Sequence, residues 1–244
     1  GFIPFIVVLF GLILFYKTNF FKALINIGYT GIFYAISFSV CNVTFIISIQ
    51  NTTVANTLIM VAMAPMLSAF LGAFFLKEAP DKKTWLAIII TFLSVTFIFY
   101  DSVKLGNILG DVFGFITALG LAINANLARY AKNKDLVPAA VIGKLGTAAF
   151  AFIFVNNFNL VNTDIIIVPL MCVLCVAIPF VLVTIAPRFI TAAEVNLFFL
   201  LEVIIGPIWV WMVINERPSP ETIVGGIIII ITIAIHSFLA IKKT

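Results

Sequence analysis

The stretch 53–78, TVANTLIMVAMAPMLSAFLGAFFLKE, returns 138 positions later as 191–216, TAAEVNLFFLLEVIIGPIWVWMVINE. Thr53 falls on Thr191, Ala55 on Ala193 and Glu78 on Glu216, and the match runs on through Pro80 and Pro218, Thr84 and Thr222, and Ile89-Ile90 and Ile227-Ile228. Both copies lie in strongly apolar sequence, and an internal repeat in such a setting points to a transporter built from two related halves.

The solvent of the fold follows from composition. Hydrophobic residues make up 63% of the chain and charged residues 10%, and mean hydropathy is +1.24. A soluble domain carries roughly 45–50% apolar and about 25% charged residues. A chain of 244 residues cannot hide that much apolar surface in a water-soluble core, so lipid must surround it. The net charge of +4 does not imply nucleic acid, because the basic residues sit in short loops and follow a topological rule.

A helix needs about 20 apolar residues to cross a bilayer. Apolar runs between charged or turn-rich breaks predict nine spans, near 2–16, 25–48, 54–76, 84–100, 108–128, 137–155, 165–186, 191–213 and 221–241. The runs are too long, and alternate too little, for barrel strands. With the first span running inward, the cytoplasmic loops hold Lys17, Lys22, Lys77, Lys82, Lys83, Arg129, Lys132, Lys134, Arg188, Lys242 and Lys243. The outer loops hold only Lys104 and Arg217. This bias predicts a cytoplasmic C-terminus.

The offset carries the third span onto the eighth and the fourth onto the ninth. A shift of five spans is odd, so the copies enter the membrane from opposite sides, as in an inverted-topology repeat. The expected fold is all-α, five plus five transmembrane helices. The first repeat occupies 1–105 and the second 106–244, with nine helices present and the first helix of the first repeat missing. Gly1 opens directly on apolar sequence, which sets the expectation of a truncated N-terminus and of ten helices with both ends cytoplasmic.

Each copy has a small-residue start (Thr53-Val-Ala55; Thr191-Ala-Ala193), a long helix ending at a glutamate (Leu76-Lys-Glu78; Ile214-Asn-Glu216), a proline-containing turn and a last helix with small residues (Trp85-Leu-Ala87; Gly225-Gly226). These features resemble the EamA family of the drug/metabolite transporter superfamily across nearly the whole chain. The resemblance implies five plus five helices around a central cavity and movement of a metabolite or amphipathic solute, with export the expected direction. The expected partners are the lipid bilayer, a small-molecule substrate, a coupling proton or ion, and a second copy of the chain in a homodimer. No cofactor or metal is expected, and the expected location is a bacterial inner membrane.

Candidate substrate-binding residues are the polar groups that lipid cannot serve. Glu202 lies about 16 Å into the eighth span and Lys144 about 12 Å into the sixth, at 1.5 Å per residue, so both reach mid-bilayer, where ionisable groups are costly. The first-copy counterpart of Glu202 is Ala64, so the scaffold itself does not call for a carboxylate. Glu202 could bind a cation or exchange a proton, or be a structural carboxylate held by Lys144 or by backbone donors. Lys144 could meet substrate, snorkel to the interface or sit in a fixed ion pair. Glu194, the counterpart of Asn56, could line the cavity mouth or be satisfied by loop backbone. Asn42, Asn56, Asn124, Asn126 and Asn196 must each face protein or water, either as interhelical glue or as substrate contacts; of these, Asn42, Asn56, Asn124 and Asn196 are candidate ligands.

Other features are structural in character. Gly110, Gly114, Ala118, Ala122 and Asn126, and Gly31, Ala35 and Ser39, recur every four residues and predict close helix contacts. Met60 and Met63 suit ordinary packing or an adaptable cavity wall. Pro65, Pro179 and Pro207 should bend their spans or free a carbonyl. Trp85, Trp209, Trp211 and Tyr100 lie toward span ends, as interface anchors do. Cys172 and Cys175 form C-x-x-C, but no second ligand pair exists, so small buried apolar residues are the simpler reading.

An intramembrane enzyme is a weaker alternative. His236 is the only histidine and has no accompanying serine turn, the aspartates lie in loops or at helix ends, and no phosphate-cradling glycine loop occurs. A non-transporting scaffold or receptor is the other alternative. Under the transport reading, Glu202→Gln is expected to abolish or uncouple movement of a cationic or proton-coupled substrate while expression is kept. Normal uptake by that variant would remove Glu202 from the mechanism.

Overall fold

A computed structural model describes residues 25–77, 82–105, 107–154, 164–186, 189, 206, 208–213, 215 and 219–241, with Ile6, Leu9, Phe10 and Ile13. Among the described residues the regular structure is helical throughout. The helices are α1 (Gly28–Asn51), α2 (Val54–Val61), α3 (Ala64–Phe75), α4 (Lys82–Leu105), α5 (Ile108–Tyr130), α6 (Val137–Phe154), α7 (Asp164–Met171), α8 (Ile178–Ile185) and α9 (Pro220–Ile241), with a π-helical turn, Cys172–Ala177, joining α7 to α8. Gly28–Asn51, Val54–Phe75, Ile108–Tyr130 and Ile166–Ile185 are long and apolar enough to cross a membrane. Tyr29, Ile32, Phe33, Ile36 and Val40 of α1 stand exposed, as do Ile223, Ile227, Ile231 and Ile235 of α9. Apolar surface on that scale needs lipid against it.

Among the described residues two spans differ from uninterrupted helices, each beside a proline. The third breaks between α2 and α3. Pro65 has no N–H to offer the carbonyl of Val61, and the chain tightens there: Met63 N donates to Met60 O at 3.0 Å before Leu67 N resumes with Met63 O at 3.0 Å. Pro65 thus stands at the start of α3, where a missing N–H costs least. The seventh span carries its irregularity just ahead of Pro179. The ring of Pro179 would strike the carbonyl one turn back in a regular helix, and the π turn widens the backbone at that place, with Ile178 N reaching Val173 O.

The repeat has a backbone signature. Lys77 and Asn215, 138 positions apart, adopt φ of 58° and 59°, and they are the described non-glycine residues with positive φ. Each stands just before its copy's glutamate and ends its helix in the left-handed conformation usual for the position after a helix end. Asn tolerates this well; Lys pays for its Cβ.

By packing, the chain falls into two compact units, 1–43 with 127–190 and 44–126 with 191–244. In the first, Ile27, Tyr34, Leu136, Val141, Ala177 and Phe180 are core residues. Here α1 meets α6 through small residues: Ser39 Oγ donates to Gly143 O at 2.6 Å, and Cβ atoms added at Gly31, Gly143 and Gly146 would meet Ala139, the Ala35 carbonyl and Ser39 respectively. Tyr34 Oη donates to Thr184 Oγ1 of α8 at 3.3 Å.

In the second unit the core gathers on α2 and α3, with Leu58, Met60, Met63, Met66, Ala118 and Ile229 buried. The stripe on α5 faces this core. Gly110 lies against the backbone of Asn51 and Thr52, and Gly114 lies against Ser48 and Met60. Ala118 and Ala122 are fully buried, and Asn126 bonds Ser68 of α3. Helices α4 and α9, the fourth and ninth spans, pack along each other.

A Cβ at Gly110 would come within 2.6 Å of Asn51 C and Thr52 N, and one at Gly143 within 2.9 Å of Ala35 O, all backbone atoms. Gly110→Ala and Gly143→Ala are therefore expected to lose about 1–3 kcal/mol each, read as lower thermal unfolding midpoints in detergent. Gly72→Ala is the control. Its Cβ would meet only the Asn126 side chain, at 3.2 Å, so its midpoint should stay close to that of the parent.

Candidate functional site

Within the first unit, α6 buries a lysine. Lys144 is 5% exposed and its Nζ donates to Asn42 Oδ1 at 2.7 Å. The ammonium stands 5.0 Å from the ring centroid of Phe38 and 5.2 Å from that of Phe180, and these two rings meet edge to face at 4.9 Å. Asn42 is itself held, since its Nδ2 donates to Phe38 O at 2.7 Å. Phe38 and Asn42 lie one turn apart on α1, so one helix supplies both the amide and a ring. Among the described residues its hydrogen-bond acceptor is an amide oxygen, and Glu202, the carboxylate that could pair with it, lies outside them. Insertion scales put a mid-bilayer lysine at about 2.5–3.5 kcal/mol. Ring faces offset part of such a cost, about 0.5–2 kcal/mol each, but they bring no counter-charge.

In the second unit three helix beginnings converge. Thr53 caps α2, its side chain accepting from Asn56 N at 3.1 Å. Ser219 caps α9, accepting from Thr222 N at 3.2 Å, and Pro220 follows in the first turn, where its fixed φ fits. Asp111 lies in the first turn of α5 and is fully buried. Asn56 joins the three: its Nδ2 donates to Asp111 Oδ1 at 3.4 Å and to Thr52 Oγ1 at 3.3 Å, and its Oδ1 accepts from Thr222 Oγ1 at 2.5 Å. A carboxylate is favoured at the positive end of a helix dipole. Below this junction, Ser48 and Thr57 share a hydrogen bond at 2.8 Å, and Thr44 and Thr117 share one at 2.9 Å.

The asparagines separate by what they bond. Asn42 and Asn56 are engaged as above. Asn126 Nδ2 donates to Ser68 Oγ at 2.9 Å, Ser68 O at 3.1 Å and Ala122 O at 2.8 Å. Asn124 differs: it is 6% exposed, and among the described residues neither its Nδ2 nor its Oδ1 has a hydrogen-bond partner. A buried amide left in that state costs about 1–3 kcal/mol, which a solute or a water could relieve.

Of the sequence-predicted ligands, Asn42 and Lys144 come together in one cluster, Asn56 anchors another and Asn124 stands apart as an unsatisfied amide. Glu194, Asn196 and Glu202 lie outside the described residues. Asp111 escaped the sequence reading, which set the aspartates aside as loop and helix-end residues. Its signal was a carboxylate inside the Gly110–Gly114 stripe, on a face that had to be buried. Cys41 is buried, Cys172 half-buried and Cys175 exposed, all as free thiols. Among the described residues no three His, Cys, Asp or Glu side chains group as metal ligands.

Comparison with known proteins adds a family. The model of the EamA-like transporter family matches residues 1–100 and 108–238. A solved structure described as "Crystal structure of protein" has a TM-score of 0.55 to this chain at 13% identity, covering 97% of this chain and 98% of that one. At that identity the likeness is one of fold. No curated protein matches the chain.

The bonding pattern predicts opposite effects at two neighbouring asparagines. Asn124→Leu removes an unsatisfied amide and should leave the unfolding midpoint unchanged or higher while lowering transport. Asn126→Leu strips Ser68 of its partner and should lower the midpoint, by about 1–3 kcal/mol of stability. Paired thermal-unfolding and flux measurements on the two variants check this, and a destabilised Asn124→Leu would show that its amide is bonded after all.

Proposed function

The chain belongs to the EamA-like transporter family, and from that premise we propose that it is a secondary transporter moving a small metabolite or amphipathic solute by alternating access, in the direction of export. It is a multi-pass integral membrane protein, and transport rather than catalysis is the activity of its family. The observation that carries the finer reading is a set of polar groups buried in apolar helices with their bonding incomplete. Among the described residues Lys144 has no carboxylate partner, and Asn124 has no hydrogen-bond partner for either amide atom. A scaffold has no use for such groups, whereas a passing solute can complete them.

The architecture we propose is the inverted five-plus-five repeat. Three observations support it: the 138-residue offset, the left-handed residues at Lys77 and Asn215, and the packing of α4 on its counterpart α9. In an inverted repeat, counterpart helices can pack across a pseudo-two-fold axis in the membrane plane. The basic-residue bias supports a cytoplasmic C-terminus. On that orientation the beginnings of α2, α5 and α9 lie at the outer face. The Asn56–Asp111–Thr222 junction then joins the first repeat to the second as an outer seal. Opening outward would require those hydrogen bonds to part. Glu202 keeps the proton-exchange role within this scheme.

The test is a flux screen of the purified protein in liposomes, across neutral, cationic and anionic metabolites, with and without a proton gradient. We expect saturable movement of a restricted solute class, enhanced by the gradient. A phenotype independent of solute, with no saturable flux for any class, would favour the scaffold reading.

A further inference from the structure

We infer that Lys144, Asn42, Phe38 and Phe180 form an anion subsite that takes the carboxylate of a small monoanionic organic solute. This deepens the transport reading and rests on it. The ammonium has three N–H donors. Asn42 Oδ1 takes one at 2.7 Å, which leaves two. The rings of Phe38 and Phe180, 5.0 and 5.2 Å away, attract the cation through their faces but carry no negative charge. Among the described residues no carboxylate pairs with Lys144. A buried charge without a counter-charge is among the least favourable arrangements a protein can hold, and a methionine or leucine would fill the same volume without that cost.

The position is also fixed. Gly143, the preceding residue, accepts from Ser39 Oγ at 2.6 Å and leaves its Cβ position to the Ala35 carbonyl and Phe38. Two residues beyond Lys144, Gly146 gives way to Ser39 in the same manner. Helix α6 is thus clamped to α1 on both sides of the lysine, and Asn42 is tied to its own helix through Phe38 O. The charge is preorganised, with donor capacity to spare, and its two rings belong to or pack against the core cluster that holds Tyr34, Val141 and Ala177. One positive charge matches one negative charge. A carboxylate fits that count, whereas a phosphate dianion would call for a second cation, and the described residues of this cluster supply none. Aromatic and aliphatic walls suit a solute whose remainder is apolar.

Three ligands of nearly one shape read the charge directly: benzoate, benzamide and benzamidine. Binding to the full chain in detergent is measured by equilibrium titration and by ligand-dependent thermal stabilisation. Benzoate is expected to bind and stabilise, and the neutral amide and cationic amidine to bind at least tenfold more weakly. K144M should weaken benzoate binding at least tenfold, while K144R, which keeps the charge, should retain most of it. K144Q serves as a second neutral variant if K144M does not fold. Equal binding of the three ligands, absence of benzoate binding to the parent, or unchanged benzoate affinity in K144M or K144Q overturns the subsite. These outcomes separate from failure of the transport reading. Benzoate selectivity with no saturable flux in the liposome screen would sink transport and leave the subsite standing. Saturable flux of another class without benzoate selectivity would do the reverse.

Discussion

Hydrocarbon offers no hydrogen bonds, and that constraint governs the rest of this molecule. Every polar group inside the spans must find a partner within the protein or remain expensive. Most do so locally. Ser94, Thr147 and Thr232 each donate to the carbonyl four residues back, which hides a hydroxyl without help from another helix. Others are spent on joining helices, as at Thr44–Thr117, Ser48–Thr57 and Ser39–Gly143. The few that neither strategy satisfies stand out against this economy, and they are where a function for the buried polar atoms has to be sought.

Close approach of backbones is the other half of the design. In lipid, helices gain little from hiding apolar side chains, so contact depends on shape. Glycines at 110, 114, 143 and 146 leave room for backbone and small side chains of the facing helix. This brings hydroxyls and carbonyls within bonding reach. The polar and the small residues are thus one device: without the glycines the hydroxyl at Ser39 could not reach Gly143 O, and Ser48 could not lie beside Gly114.

Much of this was legible in the sequence, because it depends on local pattern. Span positions follow from apolar run length, and the described helices start and stop within a few residues of those runs. The small-residue stripes on the second and fifth spans were visible as four-residue periods, and the structure supplies their partners. Pairings between distant segments were not legible. Nothing in a single chain says that Asn42 will accept from Lys144, 102 positions on, or that Asn56 will meet Asp111 and Thr222. Such contacts depend on how helices cross rather than on what they contain. The break at Ala62–Met63 was half legible: Pro65 announced an irregularity, but whether the span would bend or divide depends on the packing around it. Asp111 does lie at a helix end, in the first turn of α5, but its complete burial depends on the helices around it and not on its place in the chain.

The π-helical turn at Cys172–Ala177 has a consequence for how its span meets its surroundings. A turn that closes on the fifth rather than the fourth residue inserts one extra position, and each position of an α-helix is worth about 100° of rotation. The π turn takes up that position within the span. Ile166, Ile167, Leu170 and Met171 are exposed before the turn, Leu174, Ile178 and Leu182 continue that face through and beyond it, and Ala177, Phe180 and Thr184 point inward at regular helical spacing. A single continuous helix would carry one face from end to end. The span keeps its faces across the turn, and Phe180, on the inward one, has its ring centroid 5.2 Å from the Lys144 ammonium. The turn thus absorbs a position that would otherwise rotate Phe180 and the rest of the second half by about 100° away from the charge this ring faces.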